Sequence, residues 1–146
     1  MKVVIRRATS ADESSLISML LGMHAEIGMA PLDFKKGVEH VRGLLSDGIV
    51  FIGEVDDEAA GTLGAEWRTY WYSSAVHLAD SWFYVSPDYR KTSVAPRLLK
   101  AYKDCALQNK VKAYIGVWSP HGVAAKNKFV GRQFEMVGGL FVSGIG

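Results

Sequence analysis

The period of the apolar positions changes along the chain, and each change marks an element. Residues 2–7 (KVVIRR) read as a short first strand. Thr9 or Ser10 then offers a helix N-cap, with Asp12 and Glu13 in the first turn, where the helix dipole favours anions. Leu16, Ile17, Leu20 and Leu21 recur at helical spacing, and Gly22 is expected to end that helix. Residues 22–33 hold two glycines and a proline and read as loop or broken helix. Asp33 can cap a second helix to about Ser46, with Val38, Val41, Leu44 and Leu45 on one face. Strands follow at 49–55 and 59–67, joined by an acidic turn at 56–58. An aromatic hairpin loop at 68–74 leads to a strand over 75–85, which Pro87 stops. After a loop at 88–95 comes a helix to about Asn109, whose buried stripe would be Leu98, Leu99, Tyr102, Cys105 and Ala106. Residues 113–118 read as a strand, 121–131 as a short helix, and 134–142 as strand-like segments. The order β-α-α-β-β-β-α-β-α-β contains one strand–helix–strand crossover, so part of the sheet is expected to be parallel. The fold class is mixed α/β (α+β), in a single domain over 1–146.

Composition narrows the function. A chain of 146 residues with 49% hydrophobic residues can bury a core without disulfides, and Cys105, its only cysteine, can form none within the chain. One cysteine at helical spacing from Leu98 and Tyr102 reads as core and fits a reducing, cytoplasmic setting. Seventeen basic against fifteen acidic side chains leave a net charge of +2 with no block of like charge, so nucleic acid is not expected as a partner. No apolar run approaches the roughly 18 residues of a membrane span, and the N-terminus lacks the apolar core of a signal peptide. His24, His40, His77 and His121 have no ligand spacing with each other or with Cys105, so no metal site is expected.

The segment with the most chemistry is 81–99, SWFYVSPDYRKTSVAPRLL. A strand ends at Val85, a polar loop carries Arg90 and Lys91, and a helix starts near Thr92 or Ser93. The first N–H groups of a helix have no internal partner, so such a mouth attracts an anion, a diphosphate above all. The plainer alternative is an ordinary strand-to-helix turn with a solvated Arg-Lys pair.

This segment resembles the signature of the GNAT superfamily of acetyl-CoA-dependent N-acetyltransferases, a strand ending in Val followed by V-x-P-x-x-R/Q-x-x-G-x-G/A and a Leu-rich helix. Val85, Pro87, Arg90 and Ala95 match it, and Ser93 stands at the first glycine. A second segment of the family, N-x-x-A-x-x-x-Y-x-x-x-G-F, is met by Ala125 and Phe134. Gly122, Phe129 and Gln133 replace its Asn, Tyr and Gly. The resemblance implies a mostly antiparallel sheet with one splayed parallel strand pair and flanking helices. It implies acetyl-CoA as co-substrate, with its pantetheine arm paired along a bulged Phe83-Tyr84-Val85 stretch. Its pyrophosphate would be held by Arg90, Lys91, Thr92, Ser93, Val94 and Ala95, and its thioester end would meet Phe129.

Acetyl transfer to an amine needs a group that takes a proton and donors that stabilise an oxyanion. Asp80, a few residues before the expected bulge, is the first candidate base, since apolar neighbours would push its carboxyl up. Its other reading is a structural partner for loop backbone or an arginine. Ser81, acting through a water, and His77 are the substitutes, although strand alternation turns His77 to the face opposite Asp80. Phe129 has no hydroxyl for the departing thiolate, which leaves a water, Ser119 or Tyr84 to supply that proton. The aromatic run at 67–72 is expected to wall the acceptor cleft or to pack on a second copy in a homodimer. The resulting expectation is acetyl transfer from acetyl-CoA to a primary amine, on a small molecule or a protein, by direct attack. The alternative is a non-catalytic acyl-CoA-binding sensor or interaction module.

Overall fold

The computed structural model describes residues 1–117 and 122–144. Strand β1 (Val3–Arg7) runs into a 3-10 turn (Ser10–Asp12) and helix α1 (Glu13–Ile27). Asp12 accepts the Thr9 N–H at 2.8 Å and is gripped by two nitrogens of Arg6, which also holds Glu54 at 2.8 Å. This one ion-pair network ties the start of α1 to the first two strands. Helix α2 (Phe34–Asp47) begins where expected, with Asp33 accepting the Lys36 N–H at 3.0 Å. Then come β2 (Ile49–Val55), β3 (Glu58–Thr69), β4 (Val76–Val85), a 3-10 turn (Pro87–Tyr89) and α3 (Val94–Gln108). Strand β5 (Ala113–Tyr114) and α4 (Val123–Val130) complete the described elements.

The sheet has the order β1-β2-β3-β4-β5. All its pairs are antiparallel except β4–β5, which are parallel through the α3 crossover. Helices cover both faces and make two cores. On one face Leu63, Leu78, Val94, Leu98, Leu99 and Tyr102 are fully buried with the rest of the α3 stripe. On the other, Leu16 and Met19 of α1 and Val41 and Leu44 of α2 meet Val50, Ile52, Trp82 and Tyr84. Trp82 Nε1 donates to Thr62 Oγ1 at 3.0 Å, and Thr62 Oγ1 donates to the Phe51 carbonyl at 2.8 Å. This satisfies the polar atoms of a buried three-strand contact. Val94 seats on two glycines: a Cβ at Gly53 would lie 2.8 Å, and at Gly61 3.1 Å, from its Cγ1. The start of α3 is thereby fixed against β2 and β3.

Four expectations are corrected. Helix α1 does not stop at Gly22 but continues to Ile27 and ends at Gly28, whose φ of +23° favours glycine. Gly22 instead makes room for Tyr84, whose hydroxyl would lie 2.9 Å from a Cβ there. Met19 replaces Leu21 in the core, and Leu21 is exposed. Of the strand expected over 113–118, the described residues pair with β4 only at Ala113 and Tyr114, Gly116 donates its N–H to the Asp80 side chain instead, and position 118 lies outside the described residues. Residues 134–142 form no strand: past Phe134, Met136, Val137, Leu140, Phe141 and Val142 are all exposed.

Candidate active site

Strand β4 organises the site, and its decisive feature is a bulge. Gly64 of β3 faces Trp82 while Ala65 faces Asp80, so Ser81 is the extra residue with no partner. The bulge lies at Ser81, not within 83–85 as expected. It resets the alternation of side chains. Asp80, Phe83 and Val85 fall on the α3 side, and Trp82 and Tyr84 on the α1–α2 side. Ser81 reaches α2, where its Oγ lies 2.5 Å from Nε2 of His40.

The other side of β4 is largely free. It pairs with β5 only at Leu78 with Ala113 and Ala79 with Tyr114. Among the described residues no strand pairs with β4 from Asp80 to Val85 on that side. Asp80 closes the apex of this gap, accepting the Gly116 N–H on Oδ1 at 3.0 Å. Burial pushes the Asp80 carboxyl above its ordinary range, and the Gly116 N–H only partly opposes that. Tyr102 braces the same point from α3, donating its hydroxyl to the Tyr114 carbonyl at 2.7 Å. Burial, then the charge of Asp80, pushes the Tyr102 phenol up.

The loop between β4 and α3 is built from local bonds. Thr92 Oγ1 donates to the Tyr89 carbonyl at 2.6 Å and accepts the Val94 N–H at 3.3 Å. Ser93 and Lys91 are exposed, and Ala95 is half-buried. The side chain of Val94 is wholly in the core, so only its backbone is near the loop surface. Arg90 is engaged within the protein. Its Nε donates to the Val85 carbonyl at 2.9 Å, its Nη2 pairs with Glu26 at 2.6 Å, and its guanidinium lies 5.6 Å from the Tyr84 ring. Arg90 thus clamps the end of β4 to the last turn of α1, and Lys91 is the loop cation turned to solvent. Tyr84 is buried under that clamp, on the face opposite Asp80. Phe129 of α4 packs half-buried on the α3-side core. Ser119 lies outside the described residues.

The structure sets Asp80, Phe83 and the start of α3 on one side of the sheet, turns Ser81 to the other, and separates Asp80 from His77. His77 is buried between Tyr70 and Tyr114, with ring centroids 4.4 and 5.1 Å away, and its Nδ1 meets no hydrogen-bond partner among the described residues. Sequence reasoning named His40 only as a histidine without ligand spacing and Glu26 only within the segment 22–33, and paired neither with its partner. Nothing local marks either, since His40 meets Ser81 across 41 residues and Glu26 meets Arg90 across 64. A cavity of about 590 Å³ under α1 borders Tyr84 and Ser86 but sits on the face away from Asp80. Among the described residues no helix is long and apolar enough to cross a membrane.

Comparison with known proteins agrees with this architecture. The model of the acetyltransferase (GNAT) family matches residues 26–129. No curated protein shows significant sequence similarity to the chain. Among solved structures, a predicted acetyltransferase with acetyl-CoA from Clostridium acetobutylicum superposes with a TM-score of 0.74 at 18% identity, covering 98% of this chain and 96% of its own. A ribosomal-protein-alanine N-acetyltransferase from Brucella melitensis biovar Abortus 2308 gives 0.73 at 17% identity, over 99% and 100%. An aminoglycoside acetyltransferase from an uncultured soil metagenomic sample gives 0.70 at 15% identity, over 97% and 95%. At these identities the likeness is one of fold. The family match, spanning well over half of the chain, carries more: this chain belongs to the GNAT family of acetyltransferases.

Proposed function

We propose that the protein transfers an acetyl group from acetyl-CoA to a primary amine by direct attack of the amine on the thioester. The observation that carries this reading is the side of β4 from Asp80 to Val85 that no strand pairs among the described residues, opening next to a half-buried carboxylate. Free backbone groups there suit the amides of a pantetheine arm, which adds to β4 as a strand would. The N-terminus of α3, with Ser93 and Lys91 at its mouth, suits the pyrophosphate. Arg90 contributes by holding the loop and the end of β4 in place through Glu26 and the Val85 carbonyl. Backbone N–H groups beside the bulge are the donors for the oxyanion. Asp80 is the base: its raised carboxyl is a stronger proton acceptor than an ordinary aspartate, and it stands at the apex of the gap. Phe129 packs beside the thioester end and leaves protonation of the thiolate to Asp80 or a water. A thiolate leaves readily without strong acid assistance. The acceptor is an amine of a small molecule or of a protein, the two classes that the named structural relatives acetylate.

The test is turnover of acetyl-CoA with a polyamine, an aminoglycoside and a peptide with a free N-terminal alanine, alongside calorimetric acetyl-CoA binding. Binding together with thiol release dependent on amine is expected. Folded protein with no affinity for acetyl-CoA would overturn the reading. Affinity without turnover on any amine would turn it toward the acyl-CoA-binding module.

A further inference from the structure

Making an amide from an ammonium removes two protons from nitrogen. One must leave before the lone pair can attack, and the second leaves as the amide forms. Asp80 is a single carboxylate facing α3. The opposite face of the same stretch of β4 carries a second proton-handling pair. Ser81 is the unpaired residue of the bulge, and its Oγ lies 2.5 Å from His40 Nε2. The His40 ring also meets the Trp82 ring edge-on, with centroids 6.0 Å apart and planes at 73°. Trp82 is buried and held by Thr62, so His40 is set against a fixed wall. His40 and Ser81 are themselves exposed, which leaves both open to an incoming amine and to water. Glu66 and Arg68 of β3 bind each other, and Arg42 of α2 binds Glu13 of α1. Glu39 is the acidic neighbour of His40 on its own helix.

We propose that the acceptor enters from the α2 face and that His40, through Ser81, takes the first proton of its ammonium. This rests on the acetyl-transfer reading above. The ammonium N–H breaks and its proton passes to Ser81 Oγ, while the Ser81 hydroxyl proton passes to Nε2 of the His40 imidazole. The freed lone pair forms the C–N bond at the thioester carbonyl, and the C–S electron pair leaves with sulfur. Asp80 receives the second nitrogen proton and returns it to the thiolate, and the His40 imidazolium releases its proton to water. His40 is thus a positioning and proton-accepting residue behind Ser81. The assignment also accounts for the position of the bulge, which turns Ser81 out of the ladder and toward α2.

The test measures His40→Gln, Ser81→Ala and the double variant in the full chain, with acetyl-CoA and the best amine of the panel. At pH 7, His40→Gln is expected to lower kcat/KM for the amine about a hundredfold and Ser81→Ala about tenfold. The double variant should fall no further than His40→Gln, because the two groups act as one relay. Acetyl-CoA affinity should stay at the wild-type value. The deficit should shrink as the pH rises toward the pKa of the amine, about 10.4 for a lysine-like acceptor, because the amine then arrives neutral. A deficit equal at every pH, additive losses in the double variant, or wild-type rates in His40→Gln would overturn the relay. Should His40→Gln destabilise α2, Ser81→Ala alone decides, since it removes only an exposed hydroxyl. Wild-type turnover with a pH-independent deficit defeats the relay alone, and a wild type that neither binds acetyl-CoA nor turns over defeats the acetyl-transfer reading with it.

Discussion

Asp80→Asn separates the chemistry of the carboxylate from its geometry. The asparagine Oδ1 can still accept the Gly116 N–H that now meets Asp80 at 3.0 Å, so the apex of the β4–β5 gap keeps its tie. What is lost is the proton acceptor. A positioned general base contributes about 10²–10⁴-fold, which is roughly 2.7–5.5 kcal/mol of barrier at about 1.36 kcal/mol per tenfold. We therefore expect kcat/KM at neutral pH to fall at least about a hundredfold, with acetyl-CoA affinity by calorimetry unchanged. Stability should move the other way. Burial raises the Asp80 carboxyl in the folded state above its unfolded value, so the folded state binds that proton more readily. The stability tied to this group is fully present below the ordinary carboxylate range, about pH 3.9, and is lost as the pH rises through the raised folded value. Asparagine carries no such penalty. Asp80→Asn should melt above wild type at pH 7, and the difference should close as the pH falls below about 4. Wild-type kcat/KM in the variant would remove Asp80 from the reaction. A melting temperature below wild type at pH 7 would refute the account of its burial.

Three further outcomes follow from other parts of the fold. Asp12, held down to about 2 chiefly by its hydrogen bonds from Arg6, contributes stability that is present above the ordinary carboxylate range and lost as pH falls toward 2. Asp12→Asn should lower the melting temperature at pH 7, and the difference should close only as the pH falls through and below about 2. Replacing Arg90 and Lys91 together by Ala should weaken acetyl-CoA binding about tenfold, or about 1.4 kcal/mol, by calorimetry. Most of that loss should appear in Arg90→Ala, whose clamp on Glu26 and Val85 orders the loop. Gly64→Ala drives a Cβ into the buried Trp82 indole, which Thr62 holds in place, and should cost about 1–3 kcal/mol in urea unfolding.

The parts of the fold legible in the sequence are those where one element faces one partner. The α3 stripe is the clearest case. Leu98, Leu99, Tyr102, Cys105 and Ala106 are all buried, because the helix has a single covered side and its pattern reports that side directly. Asp33 as a cap is equally local, since donor and acceptor are three residues apart. Gly22 misleads for the opposite reason. Its reason for being glycine is Tyr84, on a strand 62 residues later, and no local rule distinguishes a helix stop from a close approach. The apolar residues at 113–118 and 134–142 have strand character, but a strand exists only where a neighbour pairs with it. Among the described residues none after Tyr114 pairs with β4 as a strand, and none from Phe134 to Gly144 lies in a strand.

The site divides along the same line. The family signature located the loop at 88–95 to within two residues of the start of α3, and the strand before it, because its side chains are fixed by a turn a few residues long. The place of the bulge was not legible, and it decides the chemistry. A bulge is a property of register between two strands, here the slip between Gly64–Ala65 and Asp80–Trp82. Neither strand alone carries a mark of it beyond Gly64, which has to yield space to the Trp82 indole. Shifting that slip by one residue would exchange the faces of the residues around it and carry Asp80 away from Gly116. Arg90 shows the same limit on a single side chain. Its charge and its motif position point to a phosphate, yet its hydrogen bonds go to Glu26 and the Val85 carbonyl, so in the proposed reading its effect on a bound anion runs through the shape of the loop. The residues that carry the proposed proton transfers, Asp80 on one face and Ser81 with His40 on the other, become a set only once the register is known. The step from family to mechanism in this chain therefore rests on one unpaired residue in β4.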